Sequence, residues 1–110
     1  MKTPTQRLDI EWEDITESQG RMSAVLVPLF PRGEGLFLLL VERSDSLKRH
    51  PGQVAFPGGA REKRDRGPVE TALREFTEET GIPAEKVEVV GALPEVWVYS
   101  SDFTIFPVVG

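Results

Sequence analysis

Two nearly continuous apolar runs, S-A-V-L-V-P-L-F over residues 23–30 and L-F-L-L-L-V over 36–41, set the first constraint on the fold. A strand that is apolar at successive positions is buried on both faces, so these runs call for a sheet with cover on either side. Pro31, Gly33 and Gly35 punctuate the chain between them. Together the runs read as a buried hairpin, with Pro28 marking an edge or a bulge. Further short strands are expected at 53–56, 87–90, 96–99 and 103–109.

One helix stands out, over 68–80. Val69, Ala72, Leu73 and Phe76 repeat at i, i+3, i+4 and i+7 and form its apolar stripe. Pro68 suits the first helical position, Gly81 the left-handed stop, and Pro83 forbids resumption. Leu8, Trp12 and Ile15 share helical spacing, so residues 1–20 read as an N-terminal arm or short helix, and 21–110 as the domain proper. Strands and helix together predict an α/β fold with a mixed sheet. A single helix covers only one sheet face. The second cover is expected either from a helix beyond this chain or from a partner subunit, as in a homodimer.

At 110 residues there is room for one core. With 39% hydrophobic and 28% charged residues the chain has the profile of a folded domain, not of a disordered one. A net charge of -5 argues against a protein built to coat nucleic-acid phosphate. The absence of cysteine excludes disulfides, thiolate zinc sites and thiol nucleophiles, which leaves oxygen donors or His50 for any metal. Residues 1–20 have no long apolar run and read as neither signal peptide nor membrane span, so the expected location is the cytoplasm.

The helix carries the chemistry. Glu75, Glu78 and Glu79 are related by i+3 and i+4 and project from one face beside the apolar stripe. Like charges at that spacing repel, and carboxylates in a last turn oppose the helix dipole. A solvated acidic face is the simpler reading, and Arg74 supports it by standing four residues from both Glu70 and Glu78. It does not account for Glu75 and Glu79. A hard divalent cation does, because Mg²⁺ takes a few carboxylate oxygens and fills the rest of its shell from water and phosphate. The preceding F-P-G-G turn, 56–59, can bring bare backbone close to a ligand.

The stretch 59–82 resembles a Nudix box: a glycine, five residues, a glutamate, seven residues, then Arg-Glu-apolar-any-Glu-Glu-any-Gly-apolar. Arg74, Glu75, Phe76, Glu78, Glu79, Gly81 and Ile82 match the second half at every specified position. In the first half Asp65 stands where the glutamate is expected, and one extra residue precedes Arg74. The coenzyme A pyrophosphatase branch is similar in both respects and carries an upstream motif. Here that motif is L-L-V-E-R-S-D-S-L-K-R-H-P-G-Q-V-A-F-P-G-G over 39–59. Val41 replaces its usual threonine and Lys48 its usual arginine, which keeps the charge and loses the bidentate fork.

The resemblance implies a Nudix-like α/β/α sandwich and Mg²⁺- or Mn²⁺-dependent hydrolysis of a pyrophosphate bond in a small nucleotide substrate. Glu75 and Glu79 would be the principal metal ligands, Glu78 a further one, and the Gly58 or Gly59 carbonyl a backbone ligand. Arg74 would orient the glutamates, and Glu75 or Glu78 would serve as the base. Arg43, Lys48 and Arg49 form a basic cluster suited to phosphates away from the scissile bond. His50 and Gln53 are assigned to substrate binding. Coenzyme A or an acyl-CoA is the expected substrate, giving phosphopantetheine and adenosine 3',5'-bisphosphate. The alternatives are ADP-ribose, a nucleotide sugar or a nucleoside triphosphate, a non-catalytic nucleotide-binding module, or an inactive fragment. Trp97 and Tyr99 share one strand face, where core packing is expected before base stacking.

Overall fold

The computed structural model describes residues 10–15, 21–42, 54–98 and 103–110. Its strands are β1 (Arg21–Val27), β2 (Leu29–Arg32), β3 (Gly35–Leu38), β4 (Val41–Glu42), β5 (Val54–Ala55), β6 (Gly58–Ala60), β7 (Gly91–Ala92), β8 (Val96–Val98) and β9 (Phe103–Val109), with helix α1 (Pro68–Thr80) between β6 and β7. The main sheet runs β6-β1-β9-β7, and β8 also pairs with β9. β1 and β9 are parallel, while β6, β7 and β8 run antiparallel to their neighbours, which makes the sheet mixed as expected.

The register explains the core. Ala24 lies opposite Phe106 and Leu26 opposite Val108, so one face of the central pair presents four apolar side chains in two rows. α1 lays Ala72 and Phe76 across them, and Trp12 closes the end of the layer. Val69 and Leu73 flank this cluster, so the stripe at helical spacing is the buried stripe. Thr71, a polar residue outside that stripe, is also fully buried. The helix begins at Pro68 and stops at Gly81, whose φ of 79° is left-handed and whose N–H donates to the Thr77 carbonyl at 2.9 Å.

The first apolar run does not form one strand of a buried hairpin. It divides at Pro28, which has no N–H to donate, and the two pieces belong to different sheets. β1 enters the main sheet. β2 turns away to pair with β3, with Leu29 opposite Leu38 and Phe30 opposite Phe37. This small hairpin is exposed: Phe30, Leu36, Phe37 and Leu38 are open to solvent, and the Phe30 and Phe37 rings stack on each other at 6.0 Å. Of the second run only Leu39 packs against the core.

Other expectations shift by smaller amounts. The strand expected over 53–56 is β5, paired with β4, and Gln53 lies outside the described residues. No strand forms over 87–90. A 3₁₀ turn at Ala84–Lys86 precedes this stretch, Val87 and Val89 lean on the core, and pairing with β9 begins where the Val90 N–H meets the Val109 carbonyl. Trp97 is 42% exposed on β8 and is no core residue, while Tyr99 and Leu8 lie outside the described residues. Of the expected N-terminal arm only residues 10–15 are described, and they hold a 3₁₀ turn at Trp12–Asp14. Among the described residues no helix is long and apolar enough to cross a membrane.

Candidate functional site

The acidic end of α1 faces β6, and two consecutive glycines let the strand approach it. A Cβ on Gly58 would strike the Ala24 carbonyl and Val25 of β1, whereas a Cβ on Gly59 would overlap the Glu75 carboxylate. One glycine therefore admits the neighbouring strand and the other admits the carboxylate. The Gly58 N–H donates to Glu79 Oε2 at 3.1 Å, which fixes the second carboxylate against the same strand. Glu75 and Glu79 come within hydrogen-bonding reach of each other. Neighbouring carboxylates repel each other, and a cation between them would relieve that repulsion.

Arg74 organises the opposite side. Its Nε donates to Asp65 Oδ1 at 3.0 Å and its Nη2 to Asp65 Oδ2 at 2.9 Å, a two-pronged pairing with a carboxylate that is 2% exposed. The remaining donors reach the Ala60 carbonyl at 3.1 Å, Glu75 Oε2 at 3.3 Å and Glu78 Oε2 at 3.0 Å. Glu62 adds a fourth carboxylate at 3.4 Å. Of the two helical partners expected from spacing, Glu78 is engaged and Glu70 is not among the ion-pair partners described. The guanidinium is directed instead at Asp65, just before the helix.

These contacts set the charge states. Burial pushes the Glu75 carboxyl above its ordinary value, opposed by the charge and hydrogen bond of Arg74 and by Glu79 and reinforced by Glu78. Burial also works against the Asp65 carboxylate, but hydrogen bonds from Arg74, the Glu62 N–H and Thr71 outweigh it and hold Asp65 below 3.8. The Asp65 hydrogen bond raises the Arg74 pKa, so the guanidinium is permanently charged.

The donor set fits a hard divalent cation. The three glutamates at this end of α1 offer carboxylate oxygen, and a cation would offset the cost of keeping Glu75 charged while half-buried. Among the described residues no three His, Asp or Glu side chains already converge on one point. Arg74 takes an oxygen from both Glu75 and Glu78. Glu75 and Glu79 are therefore the candidate ligands, with Glu78 within reach of the same cluster and the Gly58–Gly59 backbone beside them. Arg43, Lys48, Arg49, His50 and Gln53 lie outside the described residues.

Sequence reasoning noted Asp65 only as a departure from a motif and gave Thr71 and Trp12 no part in the site. Thr71 Oγ1 donates to Asp65 Oδ2 at 2.9 Å and accepts from Trp12 Nε1 at 2.9 Å. The available signal was a threonine beside the apolar stripe of an amphipathic helix, a position where a hydroxyl needs a buried partner.

Residues 20–106 match the NUDIX domain. The chain is 52% identical over 92 residues to the uncharacterized Nudix hydrolase NudL of Pectobacterium atrosepticum, covering 84% of this chain and 47% of that protein. It is 49% identical over 87 residues to the mouse peroxisomal coenzyme A diphosphatase NUDT7, covering 79% and 36%. The chain thus spans about half or less of the length of these relatives. Among solved structures it resembles the Nudix hydrolase RenU of M. smegmatis, with a TM-score of 0.61 at 26% identity over 81% of this chain and 60% of that one. A MutT/nudix family protein of Enterococcus faecalis shares the fold, with a TM-score of 0.68 at 20% identity over 87% of this chain and 38% of that one.

Proposed function

The chain belongs to the NUDIX domain family, and from that premise we propose that it hydrolyses a pyrophosphate bond in coenzyme A or an acyl-CoA, with Mg²⁺ or Mn²⁺ held by Glu75 and Glu79. The observation that carries this reading is the paired Glu75 and Glu79 carboxyls set against the Gly58–Gly59 backbone. The relative named as a coenzyme A diphosphatase supports the substrate.

Hydrolysis adds a water oxygen to one phosphorus and breaks that phosphorus's bond to the bridging oxygen, which leaves with the other phosphate. A divalent ion, when bound, would supply charge neutralisation at the phosphate oxygens and make water more acidic. Glu75 and Glu79 would hold it, Glu78 would complete the acidic face, and Glu75 or Glu78 would accept the water proton. Arg74 keeps Glu75 and Glu78 in place. Arg43, Lys48 and Arg49 would bind the phosphates away from the scissile bond, and His50 and Gln53 would serve substrate binding.

Incubating the purified chain with Mg²⁺ and coenzyme A should release phosphopantetheine and adenosine 3',5'-bisphosphate, and EDTA should stop the release. Intact coenzyme A together with cleaved ADP-ribose, nucleotide sugar or nucleoside triphosphate would move the substrate assignment. Nucleotide binding without any cleavage would replace the hydrolase by a binding module.

Gly59→Ala provides a second test. Its Cβ would displace the tip of a flexible Glu75 side chain, a cheap adjustment for the fold but a direct one for the carboxylate. We expect stability to change by no more than about 1 kcal/mol while turnover falls about 10- to 100-fold. Thermal melts and steady-state rates on one preparation would separate the two.

A further inference from the structure

We infer that Trp12 is a positioning residue for the carboxylate site, acting through Thr71, Asp65 and Arg74. The inference rests on the hydrolase reading in one respect: it takes Glu75 and Glu78, the groups Arg74 holds, as working parts of that site.

Trp12 lies upstream of the stretch 20–106 that carries the family likeness, and it is 4% exposed. Its Nε1 donates to Thr71 Oγ1 at 2.9 Å, and Thr71 Oγ1 contacts Asp65 Oδ2 at 2.9 Å. The direction of this relay follows from the groups themselves. An indole N–H can only donate and an ionised carboxylate can only accept, so the single Thr71 hydroxyl proton must point at Asp65. Asp65 Oδ2 also receives the Glu62 N–H and Arg74 Nη2, both at 2.9 Å, while Oδ1 receives Arg74 Nε at 3.0 Å. With its lone pairs taken up in this way, the carboxylate has little freedom to rotate. Arg74 is then locked at one end and presents Nη1 to Glu75 and Glu78 at the other.

The upstream segment is held in place independently of this relay. The Trp12 N–H donates to the Arg66 carbonyl at 2.8 Å, and the Glu11 and Asp14 ends of its 3₁₀ turn bond reciprocally. Gly67 lets the Ile10 carbonyl pass where a Cβ would collide. The indole meets the Phe106 ring edge-to-face at 5.2 Å, and the Arg61 guanidinium lies 5.7 Å over it. A phenylalanine at this position would fill most of the same space and lack only the donor. Packing alone would be served nearly as well by that ring, so the donor is the part of Trp12 that the relay requires.

The experiment compares Trp12→Phe, Thr71→Val and Thr71→Ser with the parent 110-residue chain. The first readout is the ¹H–¹⁵N resonance of Arg74 Nε, which reports the Asp65 pairing without metal or substrate. The second is Mn²⁺ affinity by electron paramagnetic resonance, and the third is the split between kcat and KM on coenzyme A.

Trp12→Phe and Thr71→Val should shift or broaden the Arg74 Nε signal, weaken Mn²⁺ binding about tenfold and lower kcat with KM held. Thr71→Ser, which keeps the hydroxyl, should restore all three. The inference is overturned if the first two variants melt earlier but keep the parent's Arg74 signal and Mn²⁺ affinity, or if Thr71→Ser behaves like Thr71→Val. Should Trp12→Phe not fold, Thr71→Val decides with the indole still in the core. A parent chain that binds no Mn²⁺ and cleaves no diphosphate would sink the hydrolase reading, while the Arg74 signal would still decide the relay.

Discussion

Glu75→Gln is expected to lower Mg²⁺-dependent turnover of coenzyme A by about a thousandfold, the several kcal/mol that metal-assisted charge stabilisation supplies. Glutamine preserves the shape and removes the charge. The variant should nevertheless fold as well as the parent or better. Burial raises the Glu75 pKa, so near neutral pH the folded state bears a cost for keeping this carboxyl ionised that the unfolded chain escapes. A raised carboxylate pKa therefore subtracts from stability once the pH exceeds its folded value. Removing the charge removes that subtraction, while the 3.3 Å contact with Arg74 and the interaction with Glu79 are weakened in exchange. Opposite effects on activity and on the melting temperature are characteristic of a group retained for function. The assignment fails if Glu75→Gln turns over within a few-fold of the parent, because that would take Glu75 out of the metal-dependent step.

What could be read in advance follows from how local each signal is. α1 was legible to the residue because Pro68, the Val69–Phe76 spacing and Gly81 are all chemistry of neighbouring positions. The acidic face was legible for the same reason: i+3 and i+4 spacing places the glutamates together whatever the rest of the chain does. The split at Pro28 was half-legible. The missing donor marked an edge, but only the pairing of β1 with a strand some eighty residues later shows why the chain must leave the sheet there. The Trp12–Thr71 hydrogen bond spans 59 positions, and no periodicity or spacing connects its two ends. Arg74 shows the limit most clearly. Helical spacing offered it Glu70 and Glu78, whereas tertiary structure gave it Asp65, whose burial makes the pairing stronger than an exposed i, i+4 contact.

That burial sets the other large expected effect. Asp65→Ala should cost about 3–5 kcal/mol, since it strips a 13%-exposed guanidinium of its two-pronged acceptor and leaves it only the single contacts with the more exposed Glu62, Glu75 and Glu78. A small domain has about 5–15 kcal/mol in total, so this single change should bring the chain near its folding threshold. Arg74→Ala should be of similar severity, and Asp65→Ala combined with Arg74→Ala should cost clearly less than the two added together, as expected for partners in contact. The pH dependence has a definite sign. Asp65 is held below 3.8 when folded, so its contribution is fully present above the unfolded value and fades as the pH falls through the folded one. Urea unfolding of parent and Asp65→Ala should therefore show a wide gap near neutral pH that narrows below about pH 4. A gap of the same width in acid would mean that Asp65 contributes through packing and not through its charge, and the ion pair with Arg74 would lose its place as the anchor of the site.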